Sequence, residues 1–196
     1  MPEASVLRGR VVRLEPLSLD HVPALVAAAN EGRATYDFTL VPDQTDTMAA
    51  YVALALDEQQ TGRTVPYATF ERDRVVGSTR FLDLEYWQSA SVPSVAEIGS
   101  TWLAASAQRT GVNTEAKYLM LSHAFETWQV HRVTFKTDAR NERSRRAIER
   151  IGAQFEGVRR GHRLATDGTI RDSAYYSIVA SEWPDVKQRL RARLDD

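Results

Sequence analysis

AQRTGVNTEAK, the stretch from Ala107 to Lys117, decides how this chain reads. An apolar run from Val95 to Leu103 precedes it, and a long segment of helical period follows it. Between them lie a single glycine, Gly111, no aspartate, and an Asn113-Thr114 pair where a helix would begin. The first N–H groups of a helix have no partner within it and together carry roughly +0.5 of an elementary charge. With Gly111 allowing close approach of the backbone, a strand, a small-residue turn and a helix start make an anion site. An ordinary strand-to-helix turn accounts for the same residues. Two common phosphate loops do not match: a Walker A loop needs Gly-Lys-Ser/Thr, and a dinucleotide loop needs three glycines after an early strand.

Downstream, Thr114 to Trp128 reads as a helix with a narrow polar stripe of Glu115, Ser122, Glu126 and Gln129. Met120, Leu121, Ala124, Phe125 and Trp128 fill much of the rest, the pattern of a helix buried on most sides. His131 to Asp138 alternates as a strand, and Asn141 caps a helix that ends at Gly152. Phe155 to Ala165, an Asp167-Gly168 turn and Thr169 to Ile178 form a hairpin, and Trp183-Pro184 opens a charged helix ending in a frayed tail. Upstream, Val11 to Leu14 is a strand closed by Pro16. Ser18 or Asp20 caps a helix through Ala29, and Asp43 to Asp57 is a second helix. The period then changes to two: Val65 to Glu71, a turn at Arg72-Asp73-Arg74, and Val75 to Leu84 form another hairpin. Glu85 to Ser94 is an aromatic and polar loop before the strand from Val95 to Leu103. The order β-α-α-β-β-β-α-β-α-β-β-α sets two hairpins around a β-α-β centre. The expected fold is α/β, with a mixed sheet in a single domain over residues 1–196: a core of about 8–183, then a C-terminal helix and tail, 184–196.

The composition narrows the function classes. A chain of 196 residues is long enough for one sizeable core. A formal net charge of −1 argues against nucleic acid and anionic membrane as partners. The absence of cysteine excludes disulfides, zinc–thiolate sites and a cysteinyl intermediate. MPEASVLRGR lacks the apolar core of a signal peptide, and no apolar run approaches the roughly 20 residues that span a bilayer. The expected location is the cytoplasm.

The motifs, taken in order, resemble one family. Gln108-Arg109-Thr110-Gly111-Val112-Asn113 is similar to the pyrophosphate loop Q/R-x-x-G-x-G/A of the GNAT acetyltransferases, departing at Asn113. GVNTEAK resembles the form found in the RimJ/RimL-type ribosomal-protein N-acetyltransferase branch. EIGSTWL before it, NERSRRAIERIGAQFEG after it, and DGTIRDSAYYSI followed by EWP fit in the same order. The resemblance covers nearly the whole chain, most densely from Glu97 to Trp183. It implies a mostly antiparallel sheet with a central, splayed parallel pair and flanking helices. The bound anion would be the pyrophosphate of acetyl-CoA, the acetyl donor, with no metal. Gln108, Arg109, Thr110, Gly111, Val112, Asn113 and Thr114 would hold it. Pantetheine would lie along Thr101, Trp102 and Leu103. Asn141 would contact the cofactor arm, serve only as a helix cap, or do both. Arg146 would reach the 3′-phosphate, although the arginines at 143, 145, 146 and 150 also read as a solvated helix face. Relatives often dimerise, which implies that the C-terminal strands can pair across subunits.

Transfer of acetyl to an amine requires that an ammonium lose a proton, that a carbonyl oxygen be polarised and that a thiolate be protonated. With no cysteine, a ternary complex is the expected route, and a backbone N–H near Leu103 is the candidate oxyanion donor. Ser144 shares a helix face with Ala147, Ile148 and Ile151 and matches the serine of RimL-like members, where many other relatives carry a tyrosine at the position of Ile148. Its other reading is a serine bonded to its own helix backbone. Glu97, on the strand leading to the loop, competes for the role of base with His162, Asp172 and relayed water. Tyr36, Phe38, Tyr86 and Trp87 either border an acceptor pocket or pack in the core. The function implied is acetyl-CoA-dependent N-acetylation of a protein N-terminus or a small amine or amino acid. The alternative is a non-catalytic acyl-CoA-binding or regulatory module on the same fold.

Overall fold

The computed structural model describes residues 4–195. Eight strands form one sheet in the order β1-β2-β3-β4-β5-β6-β8-β7. They are β1 (Leu7–Arg8), β2 (Val12–Pro16), β3 (Val65–Glu71), β4 (Arg74–Glu85), β5 (Val95–Leu103), β6 (Arg132–Asp138), β7 (Gln154–Leu164) and β8 (Ile170–Val179). Every neighbouring pair is antiparallel except β5 with β6, as the β-α-β centre predicts. The hairpin β7–β8 folds back so that β8 lies against β6 and β7 takes the edge.

Side-chain alternation gives the sheet two faces. Helices α1 (Val22–Asn30) and α2 (Thr45–Gln60) lie on the front, where the Arg80 guanidinium stacks 4.3 Å from the Tyr51 ring centroid. On the back lie α3 (Val112–Ser122), α4 (Glu142–Ile151) and α5 (Trp183–Asp195). There Phe81 meets Trp128 at 4.5 Å, and Tyr176 accepts from Arg145 of α4. Strands β3 and β4, covered on both sides, are buried almost continuously, while the edge strand β7 leaves Phe155 and Val158 exposed. Gly77 of β4 belongs to this tight centre: a Cβ there would stand 2.1 Å from the Trp102 carbonyl oxygen of β5.

Several boundaries differ from the sequence reading. The long helix starts at Val112 and regular α-helix stops at Ser122. His123–Thr127 form a π-helical turn, which lets Trp128 reach Phe81. Ser18 precedes a 3₁₀ turn, Leu19–His21, and α1 begins only at Val22. Instead of fraying, α5 stays helical through Asp195; Asp196 lies outside the described residues. Gly152 ends α4 in the left-handed conformation (φ 107°), as its position predicts. None of the described helices is long and apolar enough to cross a membrane.

Glu115 is the clearest correction. Helical period groups it with the polar stripe, yet it is buried, and its carboxylate accepts the backbone N–H groups of Arg10 (2.5 Å), Val11 (3.1 Å) and Val12 (2.9 Å). One side chain thus satisfies the β1–β2 turn and fastens it to α3. Glu115→Ala strands these donors, and charge-assisted bonds of this kind contribute roughly 1.5–3 kcal/mol each. The expected result is a loss of about 3 kcal/mol in urea unfolding. A loss below about 1 kcal/mol would show that water replaces the carboxylate.

Candidate active site

The two parallel strands pair only at Val95–Arg132, Ala96–Val133 and Glu97–Thr134. Beyond Glu97 they part, while β5 stays with β4 as far as Leu103 opposite Gly77. Ser100 (φ 46°) lies at a bulge where Ser100 and Thr101 together oppose Thr79. The β6-facing edge of β5, from Ile98 through Leu103, therefore has no strand partner.

Helix α3 begins just past the far end of that strand. The N–H of Val112 donates to Thr110 Oγ1 at 3.2 Å. The N–H groups of Arg109, Thr110, Gly111, Asn113 and Thr114 meet no acceptor among the described residues. Gly111 has φ −69° and ψ −12°, which any residue can adopt, and a Cβ there would meet no atom within 4 Å. The fold itself does not need glycine at this position. What the missing methyl leaves is open space in front of free amides, and these residues fit a diphosphate.

Gln108 turns away from that space. Its Nε2 donates to Thr35 Oγ1 (2.9 Å) and to the Leu103 carbonyl (2.8 Å), which also accepts the Tyr36 hydroxyl at 2.9 Å. Both lone pairs of that carbonyl are used, so an arm lying along β5 would have to bond elsewhere. From the first turn of α4, Arg143 donates to the Thr35 carbonyl. Thr35 thereby ties the segment after β5 to the segment after β6, across the mouth of the gap.

On α4, the buried Asn141 side chain accepts the Ser144 N–H at 3.0 Å and is the helix cap. Ser144 is half-buried on the face continued by Ala147 and the buried Ile148 and Ile151. Its hydroxyl makes no hydrogen bond among the described residues, so it is not spent on its own helix backbone. Arg146 is largely exposed and pairs with Glu142 at 2.6 Å, pointing to solvent.

The front face beside the gap carries Glu97, which is buried; Lys136 of β6 binds it at 2.8 Å and binds Asp83 at 2.9 Å. Burial pushes the Glu97 carboxyl above the ordinary carboxylate range, with the Lys136 charge opposing. His162 lies on the same face, bonded through Nδ1 to Ser173 Oγ (2.9 Å) and through Nε2 to the Tyr175 hydroxyl (3.3 Å). Its pKa is lowered, chiefly by burial and then by Arg159 and Arg163. The Asp172 carboxylate accepts the Gly161 N–H at 2.7 Å, inside its own hairpin. Of the aromatics, Tyr36 and Phe38 flank the gap, with Phe38 under the Arg140 guanidinium. Tyr86 bonds the Gly62 carbonyl and Trp87 stacks on His131, both at the opposite end of β5.

Sequence reading missed Lys117. It is buried, and its Nζ donates to Thr101 Oγ1 (2.7 Å) and Thr79 Oγ1 (2.9 Å), which pair with each other at 2.8 Å. No carboxylate within salt-bridge range balances it among the described residues, and burial pulls its pKa down to about 7. It fastens the bulged turn of β5 from behind, one helical turn below the free amides. The signal was in the sequence: Lys117 lies on the ridge of Met120, Leu121, Ala124 and Trp128, where a lysine is out of pattern.

Residues 12–154 match the model of the acetyltransferase (GNAT) domain. Over 92 residues the chain is 37% identical to YdaF of Bacillus subtilis (strain 168), whose name proposes ribosomal N-acetylation; the match spans 47% of this chain and 49% of that one, about half of each. Among solved structures, a T. thermophilus protein described as a candidate acetyltransferase is 37% identical, covers 99% of each chain and superposes with a TM-score of 0.86. Mycobacterium smegmatis RimJ, in complex with CoA-disulfide, shares the fold at a TM-score of 0.79 and 23% identity, over 96% of this chain and 93% of that one. With a domain match over most of its length, and a splayed β5–β6 pair ending in the free amides of α3, the chain belongs to the acetyltransferase (GNAT) family.

Proposed function

We propose that this protein transfers an acetyl group from acetyl-CoA to a primary amine, a protein N-terminus or a small amine, by direct attack in a ternary complex. The observation that carries this reading is the set of free amides at the start of α3, aligned with an unpartnered strand edge. That pairing suits a diphosphate followed by an extended amide-bearing arm.

In this reading Glu97 accepts a proton from the acceptor ammonium, directly or through water; its burial brings its affinity for protons closer to neutrality. The freed nitrogen attacks the thioester carbon. A backbone N–H of β5 near Leu103 polarises the carbonyl oxygen, and Ser144 supplies a proton to the departing sulfur and regains one, through water, from the newly acylated nitrogen. An N–C bond forms as the S–C bond breaks, and coenzyme A leaves as the thiol. Glu97 is preferred to His162 because both ring nitrogens of His162 are already engaged.

Thiol release from acetyl-CoA, measured against peptides and free amines, tests the reading. Addition of a suitable amine accelerates release; if no amine does so, the non-catalytic alternative stands. Ser144→Ala lowers turnover at least about tenfold, a threshold set below the roughly 10²–10⁴-fold typical of acid–base assistance, with little change in acetyl-CoA affinity. Unchanged turnover removes Ser144 from the chemistry.

A further inference from the structure

The charges around Glu97 do not balance. On the front face Glu97 and Asp83 share one cation, Lys136, and Asp138 and Asp167 share another, Arg140. Four guanidinium groups remain without a carboxylate partner among the described residues: Arg63, Arg159, Arg163 and Arg171. Strand register puts three of them on this face. Lys136 stands opposite Tyr175, Arg159 opposite Ser173 and Arg163 opposite Arg171. Arg63 joins them from the loop before β3, where its carbonyl accepts the Leu84 N–H next to Asp83. Arg171 is half-buried, its Nε donating to Ser173 Oγ at 2.9 Å. Lys136, Arg140 and these four arginines together outnumber Glu97, Asp83, Asp138 and Asp167 by two, so a chain of net charge −1 gathers a local excess of positive charge beside the buried Glu97.

Resting on the acetyl-transfer reading above, we propose that the acceptor is an extended peptide N-terminus with Asp or Glu at its second or third residue. Its amine would stand at Glu97 and its side-chain carboxylates at Arg159, Arg163 and Arg171. A polyamine fits poorly, because every ammonium beyond the first would face these arginines. Distance decides between a free amino acid and a peptide. Through Thr134, Glu97 stands level with Ser177 of β8; Arg171 lies six residues along that strand, and Arg159, opposite Ser173, lies four residues along and one strand further out, so at about 3.3 Å per residue their backbones stand more than about 10 Å from Glu97. A free amino acid holds its carboxylate only about 3 Å from its amine, whereas an extended chain advances about 3.3–3.6 Å per residue. The second or third residue of a peptide therefore brings an anion within reach of Arg163 and Arg171, whose charges already act on Glu97.

The test is thiol release by the wild-type chain with tetrapeptides Ser-Asp-Glu-Ala, Ser-Ala-Ala-Ala and Ser-Lys-Arg-Ala, free serine, free glutamate and spermidine. The expected kcat/KM is at least tenfold higher for the acidic peptide than for the basic one, mainly through KM, with the ratio shrinking as salt rises. In Arg159→Glu/Arg163→Glu, with its melting temperature checked against wild type, the preference collapses or reverses. Equal rates for the three peptides, or faster turnover of spermidine or a free amino acid, overturn the acidic-peptide assignment while leaving acetyl transfer in place. Failure of every amine to accelerate thiol release overturns both.

Discussion

Lys117→Met is expected to be more stable than the wild-type protein at pH 7 and to lose that advantage as the pH rises toward 10. In the folded chain the Lys117 amine has a pKa of about 7, against an ordinary value of 10.5. Between these limits the unfolded chain holds a proton that the folded chain does not. Stability then rises with pH at about 1.4 kcal/mol per pH unit, roughly 5 kcal/mol over the window, and is flat below it. This contribution is complete above the unfolded pKa and is lost as the pH falls toward 7. Methionine fills the same space without that proton, and Thr79 and Thr101 still bond each other. Urea unfolding at pH 6 to 10 should show a slope in the wild type that the variant lacks. Parallel curves would mean that the amine keeps its charge, with a partner supplied by water. A stabilising substitution at pH 7 would also show that the amine serves the position of Thr101, on the strand proposed to carry the cofactor arm, and a rise in the KM for acetyl-CoA in the same variant would report that role.

Glu97→Gln is expected to lower kcat by about a hundredfold, within the usual range for removal of a general base, while leaving acetyl-CoA affinity unchanged. Lys136 retains Asp83 at 2.9 Å in this variant, so the buried ammonium is not left alone. The sign of the pH effect follows from the direction of the shift. In the proposed role Glu97 acts when ionised, and burial raises its pKa. The wild-type rate therefore falls on acidification through a limb displaced upward from the ordinary carboxylate range, and the variant lacks that limb. A lowered melting temperature with kcat intact would leave Glu97 as half of a structural ion pair only.

Much of the candidate site was legible in the chain because its signals are local. A helix start is announced by the residues that make it, so the Gly111 turn, the Asn141 cap and the Gly152 stop lie where local pattern puts them. The period of two in the hairpins and the apolar face of Ser144, Ala147, Ile148 and Ile151 follow from alternation and helical pitch alone. The π turn at His123–Thr127 had no such signal, because it goes with the packing of Trp128 against Phe81, a residue distant in sequence on the back of the sheet.

Charge was the least legible property. Glu115 has the spacing of a solvated stripe, and Lys117 carries no motif of its own. The fate of each is set by groups far away in sequence: the amides of Arg10 to Val12 for one, the hydroxyls of Thr79 and Thr101 for the other. Likewise Gln108 reads as part of an anion loop, but its amide is drawn to Thr35 and Leu103. By itself the sequence determined the elements other than β1, their order, the parallel centre and the position of the Gly111 turn, since backbone preferences and burial periodicity act over a few residues. Only the tertiary structure decided how far β5 and β6 part, which charges are paired, and that the arginines of β7 and β8 share a face with Glu97. Those outcomes depend on strand register and on desolvation, which exist only once distant segments have met.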